Sequence, residues 1–259
     1  MSYQLIEKQV DVNEHSISYL EGGIAASTPI LFVHGWSVST EPYQEFLNAL
    51  SQRYQVIAPV LPGFWKSSGS QLNWDYNDYA NFLLAFLNKL NLKKVHLIGN
   101  SLGGGINITL AATMPSVVES LILVDTTGVP VDPAPKVLFQ RLIEMTAQAP
   151  QIRFPQIIQV FQGFAYNFLF KPQDVIQTLW LALNKDLRPL LNQIESPCLI
   201  MWGANDLTTR LPAAQELAQS IKNSQLVVVD GVYHEWSIFL VEKSTSIIFD
   251  FIDEIEARK

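Results

Sequence analysis

Six short apolar runs constrain this chain more than any other feature: PILFVHG (29–35), YQVIAPVLPG (54–63), KKVHLIG (93–99), SLILVD (120–125), PCLIMWG (197–203) and QLVVVDG (225–231). Runs this brief and continuous fit strands covered on both faces, as in a parallel sheet. Segments with helical spacing separate them, at Glu41–Ser51, Tyr76–Leu90, Gly103–Thr113 and Pro212–Ile221, and Ser244–Glu256 closes the chain. Strands alternating with helices predict an α/β fold, a mostly parallel, doubly wound sheet with helices on both faces. Leu5–Val12 and Ser16–Leu20 alternate like a hairpin around an Asn-Glu turn.

The alternation fails once. Between SLILVD and PCLIMWG there is no good buried-strand run, only helical patterns broken by prolines: VLFQRLIEM, PQIIQVFQGFAYNFLF and VIQTLWLALN. Residues 129–192 therefore read as a helical cap inserted into a core made of 1–128 and 193–259. The cap is rich in aromatics, with Phe154, Tyr166, Phe168 and Phe170 among them. Phe139, Phe161, Phe164 and Trp180 are its candidate pocket residues, because a thin layer must turn some side chains toward the cleft. Its cations Arg141, Arg153 and Arg188 read as solvated charges.

Hydrophobic residues at 48% and charged residues at 16% describe a well-buried globular protein and exclude a disordered one. A net charge of −7 without a basic tract argues against nucleic acid and anionic membranes as partners. The single cysteine, Cys198, can form no intrachain disulfide. No apolar run reaches membrane-spanning length, and the N-terminus lacks a basic-then-apolar leader. The expectation is a cytoplasmic protein acting on a small molecule, with no integral membrane segment.

Chemistry concentrates where KKVHLIG breaks into Gly99-Asn100-Ser101-Leu102-Gly103-Gly104 and a helix follows. A phosphate loop would need Gly-Lys-Ser/Thr there, and no lysine is present. In a dinucleotide fingerprint a glycine would stand where Ser101 does. Strand, G-x-S-x-G and helix instead match a nucleophile elbow, in which a sharp turn raises the serine hydroxyl above the sheet. The flanking glycines are needed because helix and strand pass close together.

A serine hydroxyl needs a base, and the base needs an orienting acid. In this architecture both follow the nucleophile, on loops after later strands. Asp206 stands after PCLIMWG, and His234 after QLVVVDG. Three other histidines have different expectations: His15 on the surface of the hairpin, His96 as a satisfied core residue, and His34, before Gly35 at the end of an early strand, in a role other than the base. Asp125, ending SLILVD, is expected to hydrogen-bond the loop leading into the cap.

With HGW (34–36), LPGF (61–64), GNSLGG (99–104), WGAND (202–206) and YHEW (233–236), the chain resembles the α/β-hydrolase superfamily over essentially its whole length. The resemblance implies a Ser101–His234–Asp206 triad, with the backbone N–H groups of Trp36 and Leu102 as the oxyanion hole. It departs from the pattern at Val60, where relatives commonly carry Asp, and at Trp65, a bulky residue expected to pack on the surface. Serine at 101, where dehalogenases and epoxide hydrolases of this fold carry aspartate, implies an acyl-enzyme without metal or cofactor. Hydrolysis of a carboxylic ester is the leading expectation. C–C hydrolysis of a ring-cleavage product, cofactor-free perhydrolysis and a non-catalytic ligand receptor are the alternatives.

Overall fold

The computed structural model describes residues 4–25, 28–69, 71–148 and 154–258, with only the backbone described at 154–157. Eight strands form one sheet: β1 (Ile6–Val12), β2 (His15–Gly22), β3 (Ile30–Val33), β4 (Val56–Pro59), β5 (Val95–Asn100), β6 (Val118–Val124), β7 (Cys198–Gly203) and β8 (Ser224–Val229). Their spatial order is β1-β2-β4-β3-β5-β6-β7-β8. The β1–β2 hairpin pairs antiparallel to β4, and all pairings from β4 to β8 are parallel.

Alternation along the central strands divides the core between the two faces. Leu31 and Val33 join one apolar cluster with helices α2 (Tyr76–Lys89) and α3 (Leu102–Thr113), while Ile30 and Phe32 join the other with α1 (Gln44–Ser51) and the C-terminal Val241–Glu256 helix. Asp75 starts α2 with a reciprocal capping box, its carboxylate accepting from the Asn77 and Asp78 amides. Glu41–Tyr43 is a short 3-10 turn leading into α1 rather than part of it, and Pro42 is tolerated there because N–H groups of a first turn have no intrahelical acceptor. The strand read over 54–63 shrinks to Val56–Pro59, because prolines at 59 and 62 cannot donate to the ladder.

Between β6 and β7 the chain forms α4 (Ala134–Gln148), α5 (Phe154–Phe170), α6 (Pro172–Asn184) and the single turn α7 (Arg188–Leu191). Trp36 Nε1 donates to Val175 O at 2.8 Å, and the buried Asp174 accepts from the Gln71 and Leu72 amides. These bonds dock α6 on the core. After β7 come α8 (Leu211–Ser220), β8, α9 (Trp236–Phe239) and α10 (Val241–Glu256). No helix among the described residues is long and apolar enough to cross a membrane.

Two further expectations change. His15 is buried rather than on the surface, set edge-on to Trp74 with ring centroids 5.2 Å apart. β8 is an edge strand whose residues are mostly half-buried or exposed, since β7 is its only neighbour in the sheet. His96 is the satisfied core residue expected, its ring nitrogens meeting Ser120 Oγ at 2.8 Å and Glu256 Oε1 at 3.0 Å. Trp65 packs edge-on against Tyr166 of α5, with centroids 4.7 Å apart.

Candidate active site

Ser101 stands between β5 and α3 at φ 52° and ψ −117°, a backbone conformation that strains any residue with a side chain. The surroundings over-determine it. Its N–H donates to Val124 O at 3.0 Å, and its carbonyl accepts from the Gly104 amide at 3.0 Å, the Thr127 amide at 3.1 Å, and the Thr126 and Thr127 hydroxyls. The glycines follow from crowding. A Cβ at Gly99 would lie 2.6 Å from Gly103 O, and one at Gly103 only 2.2 Å from Val33 O. Sequence reasoning missed Thr126 and Thr127, whose role shows only once β6 lies beside β5.

The turn after β3 abuts this elbow. A Cβ at Gly35 would sit 3.5 Å from Ser101 Cβ. His34 braces the turn as a neutral ring, with Nδ1–H donating to Gly35 O at 2.8 Å and Nε2 accepting from the Leu61 amide at 3.0 Å. Its complete burial lowers its pKa to about 4. Tyr43 OH donates to Asn100 Oδ1 at 2.7 Å and accepts from the Gly35 amide, tying the turn to the elbow. The Trp36 amide thus belongs to the turn touching Ser101. The Leu102 amide is the first of α3, where helical N–H groups have no intrahelical acceptor.

Asp206 lies in the turn after β7 and is fully engaged. Oδ1 accepts from the Thr208 and Thr209 amides at 2.7 and 2.8 Å, while Oδ2 accepts from Thr209 Oγ1 at 2.7 Å and His234 Nδ1 at 2.8 Å. A proton on Nδ1 leaves Nε2 as the lone-pair nitrogen of His234. Burial pushes the His234 pKa down, but the Asp206 carboxylate outweighs it and the net direction is upward.

Asp125 is not the residue that holds the loop into the insertion. Its Oδ1 accepts from the Gly203 amide of β7 at 2.8 Å, and no N–H or hydroxyl donor is directed at Oδ2. Burial, then the charge of Asp206, raises its pKa well above the carboxylate range.

Ser101 and His234 both line a cavity of about 560 Å³ between core and insertion. Apolar side chains dominate its wall, among them Trp36, Val137, Leu138, Phe161, Phe164 and Ile238. Of the four aromatics proposed from sequence, Phe161 and Phe164 line it. Phe139 and Trp180 do not; they are 64% and 56% exposed on the outer faces of α4 and α6. Helical periodicity shows that a side chain is apolar, not which way its helix is rolled.

Arg141 also reaches the cavity wall, but not as a solvated charge. It forms a bidentate pair with Glu235 and a further bond to Glu144 Oε2 at 3.1 Å. Burial would lower its pKa, yet the two carboxylates raise it. Arg188 pairs with Glu216 and Asp186 away from the cavity, and Arg153 lies outside the described residues. Asp125, Asp206 and His234 offer ligand atoms within 4.8 Å of one another. Within that cluster Asp206 Oδ2 and His234 Nδ1 face each other in the 2.8 Å hydrogen bond.

The sequence matches the alpha/beta hydrolase family over residues 30–243. It is 36% identical to an uncharacterized protein of Mycobacterium tuberculosis, over 82% of this chain and 71% of that one. It is 25% identical to monoacylglycerol lipase of Homo sapiens, over 87% and 75% of the two chains. The chain spans 57% of the length of another relative, the acetyltransferase component of an acetoin-cleaving system in Pseudomonas putida, at 27% identity and 77% of this chain. A solved structure of a putative lipase from Acinetobacter baumannii superposes with a TM-score of 0.86 at 26% identity, covering 99% of this chain and 94% of that one. By its sequence match and its sheet order, the chain belongs to the alpha/beta hydrolase family.

Proposed function

We propose that this protein is a serine hydrolase that cleaves a carboxylic ester of a small, largely apolar substrate through an acyl-enzyme. One observation carries the reading: a strained elbow serine shares an apolar cavity with a histidine whose Nδ1 is held by a buried aspartate at 2.8 Å. The likeness to a monoacylglycerol lipase and a putative lipase supports an acyl substrate.

Ser101 Oγ attacks the ester carbonyl carbon while His234 Nε2 takes its proton. Asp206 steadies the imidazolium that forms. The carbonyl electron pair moves onto oxygen, which the Trp36 and Leu102 amides hold. Collapse breaks the C–O bond, and the alcohol leaves with the proton from His234. Water then repeats the sequence on the acyl-enzyme, releasing the acid and restoring Ser101. Residues 129–192 serve as the cap that walls the acyl group from solvent, over a core of 1–128 and 193–259.

Arg141 weighs against a substrate carboxylate, as a ring-cleavage product would bring. Both Glu235 and Glu144 already bind its guanidinium, so an anion would displace a carboxylate or meet a net negative cluster. Fluorophosphonate labelling tests the mechanism: Ser101 is modified in the native protein, and Ser101→Ala loses both labelling and hydrolysis of short p-nitrophenyl esters. An unlabelled native protein, or full activity in that variant, refutes it.

A further inference from the structure

We propose that Glu144, on inserted helix α4, is a positioning residue that couples assembly of the two catalytic loops to seating of the insertion. This rests on the hydrolase reading above. Glu144 is a carboxylate with no solvent exposure. Its Oε1 accepts from the Leu207 amide and from the His234 amide, both at 3.1 Å. Its Oε2 accepts from Thr208 Oγ1 and from Arg141 Nη1. One side chain of the insertion therefore binds the acid's loop directly after Asp206 and the backbone of the base itself.

The partners are far apart in the chain, 63 residues for Leu207 and 90 for His234. The two loops also meet directly, through the Asn205 amide to Val232 O at 2.9 Å and His234 Nδ1 to Asp206 at 2.8 Å, and Glu144 ties both of them to the insertion. A buried carboxylate stays in such a place only when its oxygens are satisfied, and here the four donors supply that. The converse also holds: lifting α4 withdraws the acceptor from two amides and the Thr208 hydroxyl. Glu235, directly after His234, is fixed from the same helix by Arg141 and Gln148. The histidine loop thus has two attachments to α4, at its own amide and at its neighbour's carboxylate. A cap opened for substrate leaves a loosened Asp206–His234 pair, and a closed cap restores it. Hydrolysis is then confined to the seated state, where water access is lowest.

Steady-state kinetics per fluorophosphonate-labelled site test the coupling, since that normalisation removes any unfolded fraction. Glu144→Ala is expected to lower kcat on the order of 100-fold, the cost typical of a misplaced catalytic group, with KM within about threefold. Glu144→Gln keeps one acceptor oxygen at Oε1 and should recover much of kcat. Unchanged kcat in Glu144→Ala, or a loss confined to KM, overturns the proposal. A second measurement needs no variant: native-state hydrogen exchange should show the Leu207 and His234 amides opening together with α4. Rapid exchange of those amides while α4 stays protected also overturns it. Failure of Ser101 to label in the native protein would instead refute the hydrolase reading, so the two failures are distinguishable.

Discussion

A carboxylate oxygen of Asp125 lies within 4.8 Å of one from Asp206, and both residues are buried at the C-terminal ends of neighbouring strands. Two buried acids this close do not both ionise readily. Asp206 has four donors directed at it, whereas Asp125 has the Gly203 amide on one oxygen and none on the other. The proton therefore resides on Asp125, and the charge on Asp206.

That division predicts an asymmetry between two isosteric changes. Asp125→Asn mimics a neutral acid and keeps an acceptor for Gly203, so kcat should stay within about threefold. Asp206→Asn leaves the amide groups in place but removes the anion that sets the His234 tautomer, and should cost on the order of 1,000-fold or more in kcat. Equal losses in the two variants would show that Asp125 carries the charge. Asp125→Ala is a different case, because it strands the Gly203 amide and should destabilise by about 1–3 kcal/mol, read by urea unfolding.

The same charge governs the pH profile. Asp206 raises the His234 pKa above its ordinary value of 6.5, and the ring works as a base only after losing its second proton. Activity should therefore climb with pH along an acid limb centred above 6.5. Without the anion the imidazolium is less favoured, so in Asp206→Asn the limb moves to lower pH while its plateau drops. Measuring kcat/KM of both proteins from pH 5 to 9 checks the sign; a limb moving upward contradicts it.

The elbow and the acid and base loops were legible because each lies directly beside a strand end. For the strands leading to the elbow and the acid and base loops, local pattern locates the ends to within a residue or two: KKVHLIG at 93–99 is observed as Val95–Asn100, PCLIMWG at 197–203 as Cys198–Gly203, and QLVVVDG at 225–231 as Ser224–Val229. What stayed hidden depends on how elements roll and meet. Glu144 looked like one charge in VLFQRLIEM, three residues after Arg141, and its link to His234 exists only after the insertion docks. Phe139 and Phe161 are equally apolar in sequence, yet opposite helix faces take one outward and the other to the cavity. An Arg with an acidic neighbour three residues on suggests an exposed ion pair; the second partner, Glu235, comes from 94 residues away.

Acid should destabilise the fold in two stages. His34 has a folded pKa of about 4 against an ordinary 6.5, so the unfolded chain binds its proton first and stability falls as pH drops from 6.5 to 4. Glu235 is held at about 2 against 4.5; burial opposes this, but Arg141 and His234 outweigh it. Its contribution is present above 4.5 and is lost as pH falls from 4.5 toward 2. Asp125 opposes the His34 slope, because its raised carboxyl keeps a proton in the folded state that the unfolded chain releases above 3.8, so the decline across both windows is read in Asp125→Asn, as unfolding free energy between pH 7 and 3. Glu235→Gln should flatten the lower window alone, and an unchanged slope there would refute the assignment to Glu235.

Phe161 gives the sharpest test of the cavity's purpose. It lines the wall yet is 70% exposed, which places it at the mouth, where a long acyl chain would lie against it. Removing its ring should leave acetyl esters little affected but lower kcat/KM for longer chains by about tenfold, in line with the 1–3 kcal/mol of small apolar contacts. Phe139→Ala and Trp180→Ala remove equally large groups from outer helix faces and should leave the whole series within about twofold, near-neutral as surface changes are. The comparison uses p-nitrophenyl esters of increasing chain length on all three variants. If Phe139→Ala matched Phe161→Ala, acyl chains would run over the outside of α4 and not through this cavity.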